Sequence, residues 1–346
     1  MAIGRVISGQ PLSEAEENFN NSLRPQHLGE CIGQSNVREK LDIAIEAAKQ
    51  RDEPLEHMLF YGPPGLGKTT LAHVVANEMG ARIRCSSGPA LVKAGDVMGL
   101  LSGVGTGDVL FIDEIHRLST TVEEFIYPAM EDFKVDYTVD SGLHAKTINF
   151  PLKRFTLVGA TTRAGLLSAP LRSRFGMLYH LEFYDSDELT EILWRSARLL
   201  KLECQDGTLE LIADRSRGTP RIANRLLKRV RDYAQVKGTG VLSADIVENA
   251  LKMEQIDALG LDPLDRAFLM ALVNVYDGGP AGIEAIAATL GEERDTLEDV
   301  VEPYLLQKGF VRRTKRGREV TPHAREHLGL KEKKPEGEPD DPALFD

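Results

Sequence analysis

The stretch Gly62-Pro63-Pro64-Gly65-Leu66-Gly67-Lys68-Thr69 decides the fold, because it fits the phosphate-loop pattern GxxxxGK followed by Ser or Thr at every fixed position. An apolar run over 57–61 precedes it, and a helical pattern over 69–79 follows it. A strand, a glycine-rich loop and a helix in this order let backbone N–H groups wrap around phosphate oxygens. The stretch therefore predicts a nucleotide-binding α/β domain.

Two acids complete the predicted chemistry. The run Val109-Leu110-Phe111-Ile112 is a buried-strand pattern, and Asp113 and Glu114 follow directly at its carboxyl end, where open α/β sheets bind ligands. Lys68 is expected to reach the β- and γ-phosphates, while Thr69 and Asp113 hold Mg²⁺ and Glu114 activates the attacking water. Because no NKxD motif occurs, ATP is the expected nucleotide rather than GTP.

Strand and helix patterns alternate as far as residue 184, and the pattern then becomes helical. Further strands are predicted over 82–85, 109–112 and 155–160, with a helix over 122–131, which indicates a parallel sheet covered by helices. From 185 only helical patterns follow, and a small α+β unit with a hairpin over 310–321 comes last. The predicted divisions are a disordered segment 1–20, a large α/β domain 21–184, an all-α lid domain 185–256, a third domain 257–330 and a disordered acidic tail 331–346.

Composition limits the classes of function. The 346 residues carry 42 Lys and Arg against 53 Asp and Glu, a net charge of -11, which argues against a uniformly basic surface for nucleic acid or anionic lipid. Three separated cysteines exclude a disulfide framework and favour a reducing compartment. No apolar run is long enough to span a membrane. The sequence predicts a soluble protein in the cytoplasm.

Six motifs together resemble one family. They are GPPGLGKTTLA at 62–72, FIDEIHRL at 111–118, YPAMED at 127–132, GATTRAG at 159–165, LRSRFG at 171–176 and RGTPRIANRLLKRVRD at 217–232. The chain from about 24 to 330 is similar to the RuvB family of AAA+ ATPases, bacterial motors that drive branch migration of Holliday junctions. The resemblance implies an AAA+ domain, a helical lid, a winged-helix domain, a hexameric ring around duplex DNA, and the partners RuvA and RuvC.

The resemblance also implies residue roles. Thr162 looks like the first sensor near the γ-phosphate, although a strand-ending threonine is the plainer interpretation. Arg174 resembles the arginine finger offered to the ATP of the neighbouring subunit, whereas Arg172 is expected to form a structural ion pair. Arg221 resembles the second sensor. The residues implied at ATP are Leu23, Arg24, Gly65, Gly67, Lys68, Thr69, Thr70, Glu131, Asp132, Phe133, Arg174, Tyr184 and Arg221.

The third domain is where an acidic chain can still contact DNA. Between 308 and 318 there are six basic residues and no acid, within a stretch that Gly317 allows to turn as a hairpin. With the helical patterns upstream, this resembles a winged helix, in which Arg294, Arg313 and Arg318 would contact phosphates independently of base sequence. The alternative is that these arginines pair with the acids that precede them, at 298, 299 and 302. Pro303 is expected to bend or shorten the second helix.

A second hairpin is predicted over 134–153. Val135, Tyr137 and Val139 alternate with polar residues, a turn is possible at 141–142, and Ile148 and Phe150 follow. The family resemblance implies that this hairpin docks on RuvA, and an ordinary extension of the sheet is the alternative.

Two other functions share part of these features. A clamp-loader-like or remodelling ATPase would carry every motif as far as Arg221, but not the basic winged helix. A nucleotide-switched DNA-binding regulator would carry the winged helix, without sustained DNA-stimulated hydrolysis.

Overall fold

The computed structural model describes residues 21–139 and 146–330, which form two compact units that divide at Gly260. The first unit is built on a five-stranded, fully parallel sheet in the order β2-β3-β6-β1-β7. Its strands are β1 (Met58–Tyr61), β2 (Ile83–Ser87), β3 (Val109–Asp113), β6 (Thr156–Thr161) and β7 (Met177–His180).

The central strands form because their residues are apolar on both faces of the sheet. Every residue of β6 is buried, as are the first four residues of β3, so helices must cover both sides. The covering helices are α1 (Ser35–Arg51), α2 (Lys68–Glu78), α3 (Ala94–Leu101), α4 (Thr120–Glu131) and α5 (Ala169–Ser173). The predicted fold class, a parallel α/β sheet covered by helices, is confirmed.

The edge strand β7 is absent from the sequence-based prediction. It pairs with β1 in the register Met58↔Met177, and its residues alternate between more and less exposed. Its four residues are largely exposed at the edge of the sheet, so they form too short a pattern to indicate a strand by themselves.

Four helices complete the first unit and form a core of their own. They are amphipathic, and a Pro220 at the first turn suits the start of the longest one. They are α6 (Ser186–Leu199), α7 (Thr208–Asp214), α8 (Pro220–Lys237) and α9 (Ala244–Met253). No helix within 21–139 or 146–330 is long and apolar enough to cross a membrane.

A separate two-stranded hairpin interrupts the first unit. The strands β4 (Lys134–Val139) and β5 (Lys146–Pro151) pair antiparallel, in the register Val135↔Phe150. They form a sheet of their own, so the predicted hairpin is present and is not an extension of the central sheet. The predicted turn at 141–142 and the predicted disordered ends 1–20 and 331–346 lie outside the described residues.

The second unit has the order of a winged helix. A π-helical turn, Leu297–Val301, lies just before Pro303 in a helical stretch that runs without a break over 294–307, so the α-helical hydrogen bonding changes where the proline lacks an N–H. Strands β8 (Val311–Thr314) and β9 (Gly317–Val320) form the predicted hairpin. The helices are α10 (Pro263–Asn274), α11 (Ile283–Leu290), α12 (Arg294–Thr296), α13 (Glu302–Gln307) and α14 (Pro322–His327).

Candidate nucleotide site and DNA-binding unit

The loop after β1 has the backbone that a phosphate site needs. Gly62 has φ 140°, and a Cβ there would lie 2.4 Å from the carbonyl oxygen of Leu181, so only glycine fits. Gly65 and Gly67 also have positive φ, and Gly67 is the N-cap of α2. The free N–H groups at this helix N-terminus and its dipole favour a bound anion.

Lys68 is held inside this loop. Its side chain is buried, and Nζ donates hydrogen bonds to the carbonyl oxygens of Gly62 (2.8 Å) and Pro63 (2.9 Å). Thr69 and Thr70 follow on the first turn of α2 and are half-buried. The ammonium group and the hydroxyl of Thr69 therefore start from the same turn, as a Mg²⁺-nucleotide site requires.

Asp113 is the last residue of β3 and Glu114 follows it, at the same end of the sheet as the phosphate loop. Burial and the charge of Glu114 raise the pKa of Asp113 above its usual value. Burial would also raise the pKa of Glu114, but the hydrogen bond from His116 and the charge of Lys68 outweigh it, so this pKa is lowered. Mg²⁺ prefers oxygen ligands that carry negative charge. The two adjacent carboxylates provide such ligands, and the charge of Asp113 is the less well balanced by nearby cations.

Glu114 is oriented by two side chains. Thr162, which follows β6, donates from Oγ1 to Glu114 Oε2 (3.2 Å), and His116 Nδ1 lies 3.1 Å from the same oxygen. His116 Nδ1 also lies 2.9 Å from Oγ1 of the buried Thr161. With its proton on Nδ1, the imidazole can donate to the carboxylate, which only accepts hydrogen bonds. Loops after two adjacent strands thus fix one carboxylate oxygen.

The helical region reaches the phosphate loop through two residues. The hydroxyl of Tyr184 donates to the carbonyl oxygen of Leu66 (3.3 Å), and the backbone N–H of Arg221 donates to that of Gly65 (3.4 Å). The charge of Arg221 also opposes the rise in the pKa of Asp113. Both residues are therefore in place to contact a nucleotide on this loop.

Leu23 and Arg24 lie on the segment that precedes α1. Leu23 is buried, and its carbonyl oxygen accepts a hydrogen bond of 2.6 Å from Nη1 of Arg195 on α6. Together with burial, the charge of Arg24 lowers the pKa of His73 on α2. The segment thus contacts both α6 and α2, and α2 is the helix that begins at the phosphate loop.

Arg174 lies away from the phosphate loop of its own chain. It precedes β7 near the amino end of the sheet, whereas the phosphate loop follows the carboxyl end of β1, a strand that spans about 13 Å. Nε of Arg174 is 3.1 Å from Oε1 of Glu131. Arg172, which was expected to form an ion pair, is exposed and forms none with the described residues.

Residues 131–133 lie on the side of Arg174 and not at the phosphate loop. Glu131 pairs with Arg174, and Asp132 pairs with Lys134 at the base of the hairpin. Phe133 packs against His57 and Phe155, which precede β1 and β6. The structure therefore does not bring this segment to the nucleotide loop of its own chain.

In the second unit, the predicted DNA-binding arginines contact acids. Glu302 is fully buried and accepts hydrogen bonds from Arg313 (Nη2, 2.5 Å) and Arg318 (Nε, 2.7 Å). Arg294 pairs with Glu284 (2.7 Å) and Glu298 (3.2 Å). The arrangement matches the ion-pair alternative weighed from the sequence. The side chain of Arg313 remains 56% exposed and that of Arg318 only 12%.

Comparison with known proteins places the chain in a family. Family models described as the Holliday junction DNA helicase RuvB P-loop domain, the RuvB AAA lid domain and the RuvB C-terminal winged helix domain match residues 23–181, 184–257 and 258–329. The chain belongs to the RuvB family. The predicted resemblance and the AAA+, lid and winged-helix fold are thereby confirmed.

Relatives of this RuvB-family chain match nearly all of it. The Holliday junction branch migration complex subunit RuvB of Kosmotoga olearia is 57% identical over 92% of this chain and 94% of its own length. That of Limosilactobacillus reuteri is 54% identical over 94% and 96%. The solved structure of the Thermotoga maritima RuvB branch migration motor has a TM-score of 0.83 at 52% identity, covering 90% of this chain and all of its own.

Sequence reasoning missed three side chains at these sites. His116 stands inside the quoted FIDEIHRL motif, but its position two residues after Glu114 carries no general signal. Tyr127 and Glu123 are four residues apart on one helix, a spacing that predicts contact and was available in the sequence. Tyr127 donates a hydrogen bond to Glu123 and its ring lies under the guanidinium of Arg174, a contact that depends on the tertiary structure.

Proposed function

We propose that this RuvB-family chain is an ATP-hydrolysing DNA motor that drives branch migration of Holliday junctions in recombination and repair. One observation carries the proposal. The phosphate loop, Asp113, Glu114 and Thr162 converge at the carboxyl ends of the parallel strands. Arg174 lies toward the amino ends of the same strands. An ATP site that lacks an arginine finger from its own chain is suited to coupling between subunits.

The chain's own residues supply most of the chemistry. Lys68 neutralises charge on the β- and γ-phosphates, and the amides of the loop hold the phosphate oxygens. Glu114, fixed by Thr162 and His116, orients the attacking water and accepts its proton. Tyr184 and Arg221 contact the nucleotide from the lid, with Leu23 and Arg24 at the adenine end.

Thr69 and Asp113 are the proposed holders of Mg²⁺. When bound, the ion neutralises charge on the β- and γ-phosphate oxygens. Asp113 would hold it as a carboxylate from the end of β3, and Thr69 as a hydroxyl from the start of α2.

Arg174 is proposed to act on the ATP of the adjacent subunit. A guanidinium there would stabilise charge that develops on the transferred phosphoryl group. Contacts that join the finger side of one subunit to the phosphate loop of the next are heterologous and close into a ring, which we propose is a hexamer. Glu131, on the finger side, would then lie near the neighbour's nucleotide.

The second unit is proposed to bind the DNA that the motor moves. Arg313 is half-exposed while it also contacts Glu302, so one side of its guanidinium remains accessible to a phosphate. Arg294 and Arg318 are proposed to contribute positive charge beside it. Contacts of this kind are independent of base sequence, which a translocating motor requires.

Two protein partners are proposed, RuvA and RuvC. In the hairpin β4–β5, Ile148 and Phe150 remain 45% and 37% exposed, and exposed apolar side chains on a projecting hairpin favour a protein contact. We propose RuvA as that contact. RuvC is proposed to join the same junction complex as the resolvase.

ATP hydrolysis with and without circular duplex DNA tests this function against a nucleotide-switched regulator. The proposal predicts sustained turnover that rises several-fold with DNA. Turnover that ends after one cycle per subunit and is insensitive to DNA would favour the regulator.

A further inference from the structure

The short helix α5, which ends at the proposed finger Arg174, is attached to α4 at both of its ends. The residues of α4 that make these contacts are Glu123, Tyr127 and Glu131. They are spaced four residues apart, so they lie along one face of the helix. This face of α4 contacts both the start of α5 and Arg174 itself.

The first attachment is a buried carboxylate. Ser168 is the N-cap of α5: its Oγ accepts a hydrogen bond from the N–H of Leu171 (3.3 Å) and donates one to Oε2 of Glu123 (2.5 Å). The hydroxyl of Tyr127 donates to the same oxygen (2.8 Å). Glu123 is only 6% exposed, so its charge is satisfied by these donors. The position of the Tyr127 ring is thereby tied to the start of α5.

The second attachment is the guanidinium of Arg174 itself. It lies over the ring of Tyr127, with Cζ 4.2 Å from the centroid, and Nη1 donates to the carbonyl oxygen of Pro170 (2.7 Å). Nε is 3.1 Å from Glu131, close enough for an ion pair but not aligned as a hydrogen bond. The stacked ring is therefore the better-defined contact.

An aromatic ring suits this role better than a carboxylate would. A carboxylate neutralises the charge that a finger has to bring to the phosphoryl group. A ring attracts the guanidinium through its face, so the stack itself uses none of the N–H donors, which lie in the guanidinium plane.

We propose that Tyr127 is a positioning residue for the arginine finger, held in place by Glu123 through the shared contact with Ser168. The ring presets the direction of Arg174 before the adjacent subunit binds, and so lowers the ordering cost of forming the composite site. This inference rests on the proposed action of Arg174 in trans.

Mixed rings test it, because they separate the finger from the nucleotide site. Lys68→Ala subunits supply a finger but no working nucleotide site, and Arg174→Ala subunits supply the reverse. Their mixture should hydrolyse ATP where either alone does not. Tyr127→Leu is then placed either in the finger donor or in the nucleotide-site donor, with Tyr127→Phe as the matched variant that keeps the ring.

In the finger donor, Tyr127→Leu should lower the restored turnover about 10-fold, with the KM for ATP unchanged. When Tyr127→Leu is placed in the Arg174→Ala subunit instead, the turnover of the mixed ring should change less than twofold, since that subunit has no finger to position. Tyr127→Phe should retain more turnover than Tyr127→Leu in the finger donor. Equal losses in both subunits would make Tyr127 merely structural and overturn the proposal, as would no loss in either.

The parent mixture separates this proposal from the proposed function. If it restores no hydrolysis while the unmodified protein turns over, action of Arg174 in trans is wrong, and positioning for that action is wrong with it. If it restores hydrolysis and only the dependence on Tyr127 fails, the trans finger stands and the positioning role is overturned.

Discussion

Thr162 Oγ1 donates a hydrogen bond of 3.2 Å to Glu114 Oε2, and this contact joins the ends of two adjacent strands of the parallel sheet. The proposed sensor and the proposed base are therefore one assembly in the folded chain. Burial would raise the pKa of Glu114, but the hydrogen bond from His116 and the charge of Lys68 lower it below its usual value, which favours the charged carboxylate at the phosphate loop.

Replacing Glu114 with Gln should abolish turnover without abolishing nucleotide binding. The amide keeps the shape of the side chain but cannot accept a proton, and general bases contribute about 10²–10⁴ to rate. We expect kcat to fall at least 100-fold and the Kd for ATP to change less than threefold, measured by steady-state hydrolysis and by nucleotide titration. A variant that retains a tenth of the activity would exclude Glu114 as the base.

His116→Ala should lower kcat by about 10-fold, because the carboxylate loses one of the two side chains that fix its Oε2. KM for ATP should stay within threefold, since His116 has no proposed contact with the nucleotide. His116→Asn, which can donate a hydrogen bond from a similar position, is the matched variant and should recover part of the rate. If KM rises and kcat does not fall, the positioning role is wrong.

Glu302→Gln should loosen the hairpin β8–β9. Burial alone would raise the pKa of Glu302, but the hydrogen bonds from Arg318 and Arg313 outweigh it, so the pKa is lowered in the folded chain. A carboxyl group whose pKa is lowered by folding stabilises the folded chain fully at pH values above its pKa in the unfolded chain, about 4.5. This stabilisation is lost as the pH falls through the lower pKa of the folded chain. The loss of stability in the variant should therefore be largest at neutral pH and shrink in acid.

Hydrogen exchange of the amides at 311–320 measures this effect when the variant and the unmodified chain are compared at each pH. The control is Glu319→Gln, since Glu319 pairs with the exposed Arg312 at the surface of the same hairpin. Equal protection in the Glu302→Gln chain and the unmodified chain at neutral pH would contradict the prediction.

Arg313→Ala should weaken DNA binding and reduce its salt dependence. Each phosphate contact contributes about one unit to the slope of log K against log salt concentration, so the loss of one contact lowers the slope by about one. Arg229→Ala in the helical region is the control, because Arg229 is also a partly exposed arginine paired with an acid. An unchanged slope for Arg313→Ala would remove this residue from the DNA interface.

What the sequence could predict follows from how local each feature is. The phosphate loop and the two acids at the end of β3 were found because each is a short pattern beside a strand, and β1, β3 and β6 are largely apolar runs. The strand β7 was missed because it is four residues long and half-exposed at the sheet edge. Local pattern thus located one side of the nucleotide site.

The remaining features depend on contacts between distant segments. Glu131, which belongs to the motif YPAMED, was placed near the nucleotide by the family resemblance, yet the fold brings it to Arg174, 43 positions along the chain. The pairing of Glu302 with two arginines was an open alternative in the sequence, and only the packing that buries Glu302 decides it. No periodicity or spacing encodes either contact.

Branch migration of a synthetic Holliday junction tests the central claim most directly. With RuvA, Mg²⁺ and ATP, the unmodified chain should convert the junction into two duplexes, and Glu114→Gln should bind the same junction without converting it. The account also predicts no conversion with a non-hydrolysable ATP analogue. Conversion by Glu114→Gln at the unmodified rate, or no conversion by the unmodified chain despite DNA-stimulated hydrolysis, would contradict it.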